Sequence, residues 1–347
     1  MVVYGIWTFC AAILAFAISA VTGKFLIPYL HKINFGQTIL DIGPSWHKKK
    51  QGTPVMGGIM FIVAITVVTI ISTVIYILTG NDFINTYRAD ISSETVYIFA
   101  GLGLALANGL IGFIDDYTKV VRKRNKGLSA WQKLVLQFAA AGAYLAVLGV
   151  SGCGTKTAIP FVGMVDLGFF YYIISAVVIV GVVNAVNLTD GVDGLVGSIT
   201  FFVAVAVMLI ASALYCLGVT ALSAAIAGAC LGFLVWNFHP AKVFMGDTGS
   251  LFLGGAVCAM AFAVKLPILL IPLGIVYLCD MFSVILQVGY FKLTHGKRLF
   301  KMSPIHHHFE MCGWSEVKIV AVFSAVTAVF GLISFLLVTF GVKFSIY

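Results

Sequence analysis

Asp115 and Asp116 stand side by side in Gly112-Phe113-Ile114-Asp115-Asp116-Tyr117-Thr118-Lys119, at the end of an apolar block. Neighbouring helical residues point about 100° apart, so two adjacent carboxylates do not share one direction. One can face a metal ion or a nucleophile while its neighbour meets Lys119, three residues on. A solvated helix end is the plainer reading, but acids at a helix C-terminus oppose the helix dipole. A second cluster runs Asn184-Ala185-Val186-Asn187-Leu188-Thr189-Asp190-Gly191-Val192-Asp193-Gly194. Asn187, Asp190 and Asp193 recur at every third residue and share a face if the segment is helical. Gly191 and Gly194 permit close backbone approach to a ligand. A third cluster spans Trp236 to Ser250 and contains Asn237, His239, Phe244 and Asp247. Asp247 sits among small residues immediately before a long apolar run. Such a carboxylate suits a Mg²⁺–phosphate site, because helix amides bind phosphate. Simple N-capping by Asp247 explains the same placement.

Two further segments carry cations and imidazoles. Ser303-Pro304-Ile305-His306-His307-His308-Phe309 gathers three of the seven histidines. Consecutive histidines fan out from a regular helix, so a zinc site is not expected. Imidazole N–H groups can instead donate to phosphate. His47-Lys48-Lys49-Lys50-Gln51-Gly52-Thr53-Pro54-Val55 precedes another apolar block. Its lysines and glycines can cradle an anion, and membrane anchoring explains Lys48 and Lys49 equally well. Together the clusters describe a metal-and-phosphate site. Where two phosphates must meet, Mg²⁺ and lysines offset their repulsion and stabilise the transition state.

The elements that must position these residues are membrane helices. The chain is 347 residues long, 61% hydrophobic and only 10% charged, against about 25% charged in soluble domains. Nearly all of it is apolar blocks separated by short polar loops, which predicts one membrane domain over residues 1–347. The seven cysteines are scattered, without a C-x-x-C, and read as small packing residues. The N-terminus lacks the basic region of a signal peptide. The net charge of +8 reflects Lys and Arg in loops and does not point to nucleic acid.

Clear spans are 3–29, 55–79, 95–114, 131–150, 168–186 and 317–341. Residues 196–237 would make a helix of roughly 63 Å, about twice the hydrocarbon core, so they divide near Leu217-Gly218. Residues 249–291 divide at Lys265-Leu266-Pro267. The expectation is an all-α polytopic protein of ten transmembrane helices with both termini extracytoplasmic. Fourteen Lys and Arg then fall in the inner loops and four outside, at Arg88, Lys156, Lys265 and Lys343. That asymmetry follows the positive-inside rule and places the acidic clusters in a cytoplasm-facing cleft. Five aspartates at helix mouths are a functional signal, because charge beside hydrocarbon is costly.

Asp115-Asp116-x-x-Lys119, Asn187-x-x-Asp190-Gly191-x-Asp193-Gly194 and Phe244-Met245-Gly246-Asp247-Thr248-Gly249-Ser250 resemble signatures of the polyprenyl-phosphate N-acetylhexosamine-1-phosphate transferase superfamily. Met302 to Glu310, with Gly313-Trp314 following, resembles its muramoyl-pentapeptide branch. The resemblance covers nearly the whole chain. It implies transfer of phospho-MurNAc-pentapeptide from UDP-MurNAc-pentapeptide to undecaprenyl phosphate, giving lipid I and UMP in peptidoglycan synthesis. It also implies a Mg²⁺ requirement, a bacterial inner-membrane location and a homodimer. By motif, Asp247 is the expected Mg²⁺ ligand, assisted by Asp115. Asp115 or Asp116 orients or deprotonates the lipid phosphate. Lys50, Gly191, Asp193, Asn237 and Phe244 lie near the uridine, with Phe244 stacked on uracil. Lys119, Asn187 and Asp190 serve the diphosphate and metal region, and His306, His307 and His308 the sugar–phosphate side. Val55 stands where the family pattern leads one to expect Thr. Direct attack by the lipid phosphate is the preferred route over an aspartyl-phosphate intermediate. The rival readings are a sister transferase acting on UDP-GlcNAc and a transporter binding cations at Asp280, assisted by Gln287 two turns on.

Overall fold

A computed structural model describes residues 2–33, 50–79, 91–121 and 127–342. Among them ten helices are long and apolar enough to cross a membrane, which makes the chain a multi-pass membrane protein. In chain order they begin with α1 (Val2–Lys32), α2 (Ile59–Thr79), α3 (Ile91–Val121) and α4 (Ala130–Val150). A hairpin, β1 (Lys156–Ile159) and β2 (Gly163–Asp166), follows. Then come α5 (Phe169–Thr189), α6 (Leu195–Ala213), α7 (Leu217–Asn237), α8 (Gly246–Ala263) and α9 (Ile275–Leu293). A seven-residue helix, α10 (Ile305–Met311), precedes the last span, α11 (Glu316–Gly341).

Both long apolar blocks divide as their lengths require. The first breaks at Leu214–Cys216, where Tyr215 takes a positive φ of 60°. Leu217 therefore opens the next helix; it does not turn the chain. The second breaks at Val264–Leu266, with Lys265 at φ 57°. A 3-10 turn, Pro267–Leu269, and one helical turn, Leu270–Leu273, lead into α9.

Burial separates a central pair of helices from a lipid-facing ring. In the most apolar stretch of α8, 89% of residues are buried, and 83% in α7, against 22% in both α1 and α9. A span apolar on every side suits either setting, so hydropathy does not rank them. Small residues do the ranking. A Cβ on Gly101 would meet Ala259 at 2.7 Å, and one on Gly255 would meet Ala105 at 2.8 Å. This small-residue seam draws α3 against α8, the contact expected where lipid offers no hydrophobic drive between helices.

The two ends of the bundle differ. At one end the hairpin is tied to the α8–α9 turn by Ala158 N–H donating to Lys265 O at 3.1 Å, and to the end of α11 by Phe161 N–H donating to Gly341 O at 2.7 Å. At the other end the last turns of α3, α5 and α7 meet the first turns of α4, α8 and α11. All the acidic clusters lie at this second end.

Candidate active site

Asp115, in the last turns of α3, is fully buried. Its Oδ2 lies 2.6 Å from Lys119 Nζ and 3.2 Å from Lys133 Nζ. Its Oδ1 accepts from Leu128 N at 2.7 Å, which pins the chain just before α4. Asp247 enters from the first turn of α8. Its Oδ2 lies 3.1 Å from Lys119 Nζ and 2.6 Å from Lys133 Nζ. Its Oδ1 accepts from Asn187 Nδ2 at 2.9 Å, and Asn187 also donates to Ser250 Oγ at 2.8 Å. Two ammonium groups thus bridge two carboxylates drawn from different helices.

Asp116 does something else. Its carboxylate accepts from Thr248 N at 2.9 Å, Thr248 Oγ1 at 2.7 Å and Asp247 N at 3.3 Å. It caps the amides of α8 from the neighbouring helix, where a negative charge also meets the positive end of the dipole. Capping by Asp247 itself, the plain alternative from sequence, is not what the geometry shows. Lys119 is also nearer Asp115, four residues before it, than Asp116, three before it, at 3.7 Å. The helical i,i+4 spacing favours the former.

Asn187, Asp190 and Asp193 do not share a helical face, because α5 ends at Thr189 and Gly194 turns the chain at φ 79°. Asn187 reaches Asp247. Asp193 faces a second group: its Oδ1 is 2.7 Å from Lys50 Nζ, and its Oδ2 accepts from Ala241 N at 3.0 Å and lies 3.2 Å from His239 Nδ1. Glu316, at the start of α11, is 2.7 Å from Lys50 Nζ and accepts from Asp193 N at 3.0 Å. Asn237 spends its amide on Gly194 N and Val243 O, closing the loop between α7 and α8. Phe244 is half-buried and fixed through its backbone to Pro54 and Gly57.

Asp190 lies between the two groups. Among the described residues no donor reaches its carboxylate. Burial pushes its pKa up to about 8, and the charges of Asp247, Asp116 and Asp193 add to the rise while Lys50 opposes it. The region therefore holds more negative charge than its lysines balance.

The histidines do not all fan out: the His306 and His307 rings touch, with centroids 4.2 Å apart, and both Nε2 atoms lie beneath Gly191. His306 is fully buried against Asp280, at 3.1 Å from Nδ1 to Oδ1. His307 Nδ1 pairs with Glu310 in the same helix. His308 Nδ1 accepts from Lys301 N at 3.1 Å. Asp280 and Gln287 are thus engaged within the chain, Gln287 Oε1 accepting from Leu299 N and Phe300 N. His47, Lys48 and Lys49 lie outside the described residues, as do Arg122 and Lys123.

Among the described residues two groups can hold a metal ion by distance: the ligand oxygens of Asp115, Asp116 and Asp247 lie within 4.8 Å of one another, as do the ligand atoms of Asp193, His239 and Glu316. The second group includes an imidazole, His239, and both its carboxylates pair with Lys50. The first is all carboxylate oxygen, the donor set that Mg²⁺ prefers.

Lys133 and Glu316 are the residues that motif reading passed over. Lys133 passes for a topology signal and Glu316 for one more inner acid. Lys133 did carry a clue: a cation in the first turn of a helix opposes the dipole, as Asp115 does at the other end of its own.

Residues 98–265 match the family model of glycosyl transferase family 4, which marks this chain of ten spans as a membrane-embedded transferase of that class. Three similar relatives are each named phospho-N-acetylmuramoyl-pentapeptide-transferase. That of Clostridium perfringens (strain SM101 / Type A) is 44% identical over 94% of this chain and 95% of its own. That of Heliobacterium modesticaldum is 43% identical over 96% and 97%, and that of Bacillus pumilus 47% identical over 90% and 91%. The chain belongs to the phospho-N-acetylmuramoyl-pentapeptide-transferases.

Proposed function

We propose that this chain transfers phospho-MurNAc-pentapeptide from UDP-MurNAc-pentapeptide to undecaprenyl phosphate, releasing UMP and forming lipid I. We place the reaction at the cytoplasmic face of a bacterial inner membrane, with Mg²⁺ and as a homodimer. The observation that carries the reading is the bridging of Asp115 and Asp247 by Lys119 and Lys133, beside the capped N-terminus of α8.

Asp115 and Asp247 would hold Mg²⁺, in the place that the two ammonium groups take in the structure. When bound, the metal polarises the transferred phosphoryl group and offsets charge between the two phosphates. Displaced from the carboxylates, Lys119 and Lys133 face phosphate oxygens. Asp116 is spent on the N-terminus of α8, whereas two of the three donors to Asp115 are lysines that phosphate can draw away, so we assign to Asp115 the orienting of the lipid phosphate and the uptake of any proton it carries. An oxygen of that phosphate attacks the sugar-linked phosphorus. The bond to the UMP oxygen breaks as the new P–O–P link forms. Asn187 and Asp190 serve the diphosphate and metal region. Lys50, Gly191, Asp193 and Asn237 line the uridine end, with Phe244 against the base. His307 and His308, on the outward sides of α10, serve the sugar–phosphate side with His306 behind them.

A cation transporter needs an intramembrane acid left open to its cargo, whereas Asp280 is fully buried with its Oδ1 on His306, and Gln287 holds the chain that follows it. The deciding experiment supplies membranes carrying the protein with undecaprenyl phosphate and each labelled UDP-sugar in turn. Label should enter lipid from UDP-MurNAc-pentapeptide. Label entering only from UDP-GlcNAc would refute the proposal in favour of the sister transferase.

A further inference from the structure

Asp280 is the one acid whose position inside α9 the reaction leaves unexplained. It is fully buried, and so is His306. Asp280 Oδ1 accepts from the backbone N–H of His306 at 3.3 Å and lies 3.1 Å from its Nδ1. His306 Nε2 is buried without a hydrogen-bond partner. It lies directly beneath Gly191, where an added Cβ would come within 2.4 Å of it. One helical face of α9 therefore docks the segment that follows: Gln287, two turns on, holds Leu299 and Phe300, and Asp280 holds His306.

We infer that Asp280 is a positioning residue for the transferase reaction, holding His306 in its Nδ1–H tautomer as a wedge beneath the Asp190–Gly191 turn. The chemistry is local. A carboxylate beside Nδ1 requires the hydrogen on that nitrogen, and the second nitrogen is then a bare acceptor. A hydrogen on Nε2 would be a buried donor with nothing to receive it, which is costly. The turn above is tied back to α5 through its backbone, Asp190 N–H donating to Asn187 O at 3.3 Å and Gly191 N–H to Thr189 O at 2.9 Å, and its two aspartate side chains differ in what holds them. Asp193 is held by Lys50, Ala241 and His239, and its own N–H by Glu316. The Asp190 carboxylate has no such partners among the described residues. Loss of the wedge therefore loosens Asp190, assigned above to the diphosphate and metal region, together with Gly191 at the uridine end, while Asp193 stays held. The inference rests on that assignment for its kinetic consequence and not for the tautomer.

The test is ¹⁵N NMR of protein labelled at the histidine ring nitrogens, in lipid, with the His306 signal assigned by His306→Gln. Wild type should show hydrogen on Nδ1 and a bare Nε2. Asp280→Leu should lose that signature and lower kcat by about 10-fold or more, with a rise in KM for the UDP-sugar because Gly191 lines the uridine end. Asp280→Asn keeps the Oδ1 acceptor, so it should retain the tautomer and most of kcat. Hydrogen on Nε2 of His306 in wild type overturns the inference, whether or not Asp280→Leu folds. A folded Asp280→Leu protein with wild-type tautomer and kcat overturns it as well. The NMR signature does not depend on which substrate the enzyme takes, so failure there is distinct from failure of the proposed function.

Discussion

Lys119 and Lys133 each touch both Asp115 and Asp247, and that sharing explains why two carboxylates remain close together in a largely apolar bundle. Buried acids persist where opposite charge and hydrogen bonds meet them. Removing one charge from the set should leave the fold and take the chemistry. Asp247→Asn is expected to lower kcat by about 10²–10³-fold in assays of UMP release, with Lys133→Ala close behind. If Lys133→Ala turns over normally, Lys133 is only a structural counter-ion. Asp190 gives a prediction of opposite sign for stability. Its folded pKa of about 8 lies above the ordinary carboxylate value of 3.8. The folded state thus binds this proton more tightly than the unfolded chain, and its stability falls as pH rises between those two values. Asp190→Asn removes that loss. In metal-free protein its Tm should exceed wild type by a margin that widens from pH 5 to pH 8, while its activity drops. A constant margin across that range would show that Asp190 ionises normally.

At the scale of elements, the site depends on how closely α3 approaches α8. A Cβ at Gly112 would lie 2.1 Å from the carbonyl oxygen of Asp247. Gly112→Ala must therefore push the helices apart at the level where Asp115 and Asp247 face each other. Overpacking of this kind costs about 1–3 kcal/mol, yet activity should suffer more than Tm does, because the carboxylate spacing changes directly. Full activity in Gly112→Ala would show that the spacing is not critical. The Asp116 cap makes a parallel case. Thr248→Val removes one hydrogen bond to Asp116, worth about 1 kcal/mol, and a modest fall in Tm is the expected reading. Sequence showed these elements unevenly. The ten spans were legible because a bilayer demands about 20 apolar residues from each helix. Hydropathy puts the break a few residues later than Leu214–Cys216, since an apolar turn between two apolar helices leaves no compositional mark. The hairpin of Lys156–Asp166 and the short helix Ile305–Met311 were not foreseen, being too short for periodicity to register.

Over the whole molecule, charge is divided between the two ends of the bundle, and the site forms where six helix ends meet. Sequence could name Asp115, Asp116, Asp190, Asp193 and Asp247 because acids at helix mouths violate hydropathy. It could not tell Asp115 from Asp116, nor pair Lys133 with Asp247 or Glu316 with Lys50. Those assignments depend on contacts between residues more than a hundred positions apart, which local patterns do not encode. The placement of this end toward the cytoplasm is testable as geometry: Lys297→Cys, in a chain whose seven native cysteines are replaced, should react with an impermeant reagent in inverted vesicles and not in intact cells. Reaction in intact cells would reverse the orientation. In the proposed reaction the Asp115–Asp247 pair, with its two lysines, moves a phospho-sugar from a nucleotide to a lipid phosphate. The most direct test is UMP release by the purified protein. Release should require UDP-MurNAc-pentapeptide, undecaprenyl phosphate and Mg²⁺ together and should fall to background in Asp247→Asn. UMP release that proceeds undiminished in Asp247→Asn, or without the lipid phosphate, would contradict it.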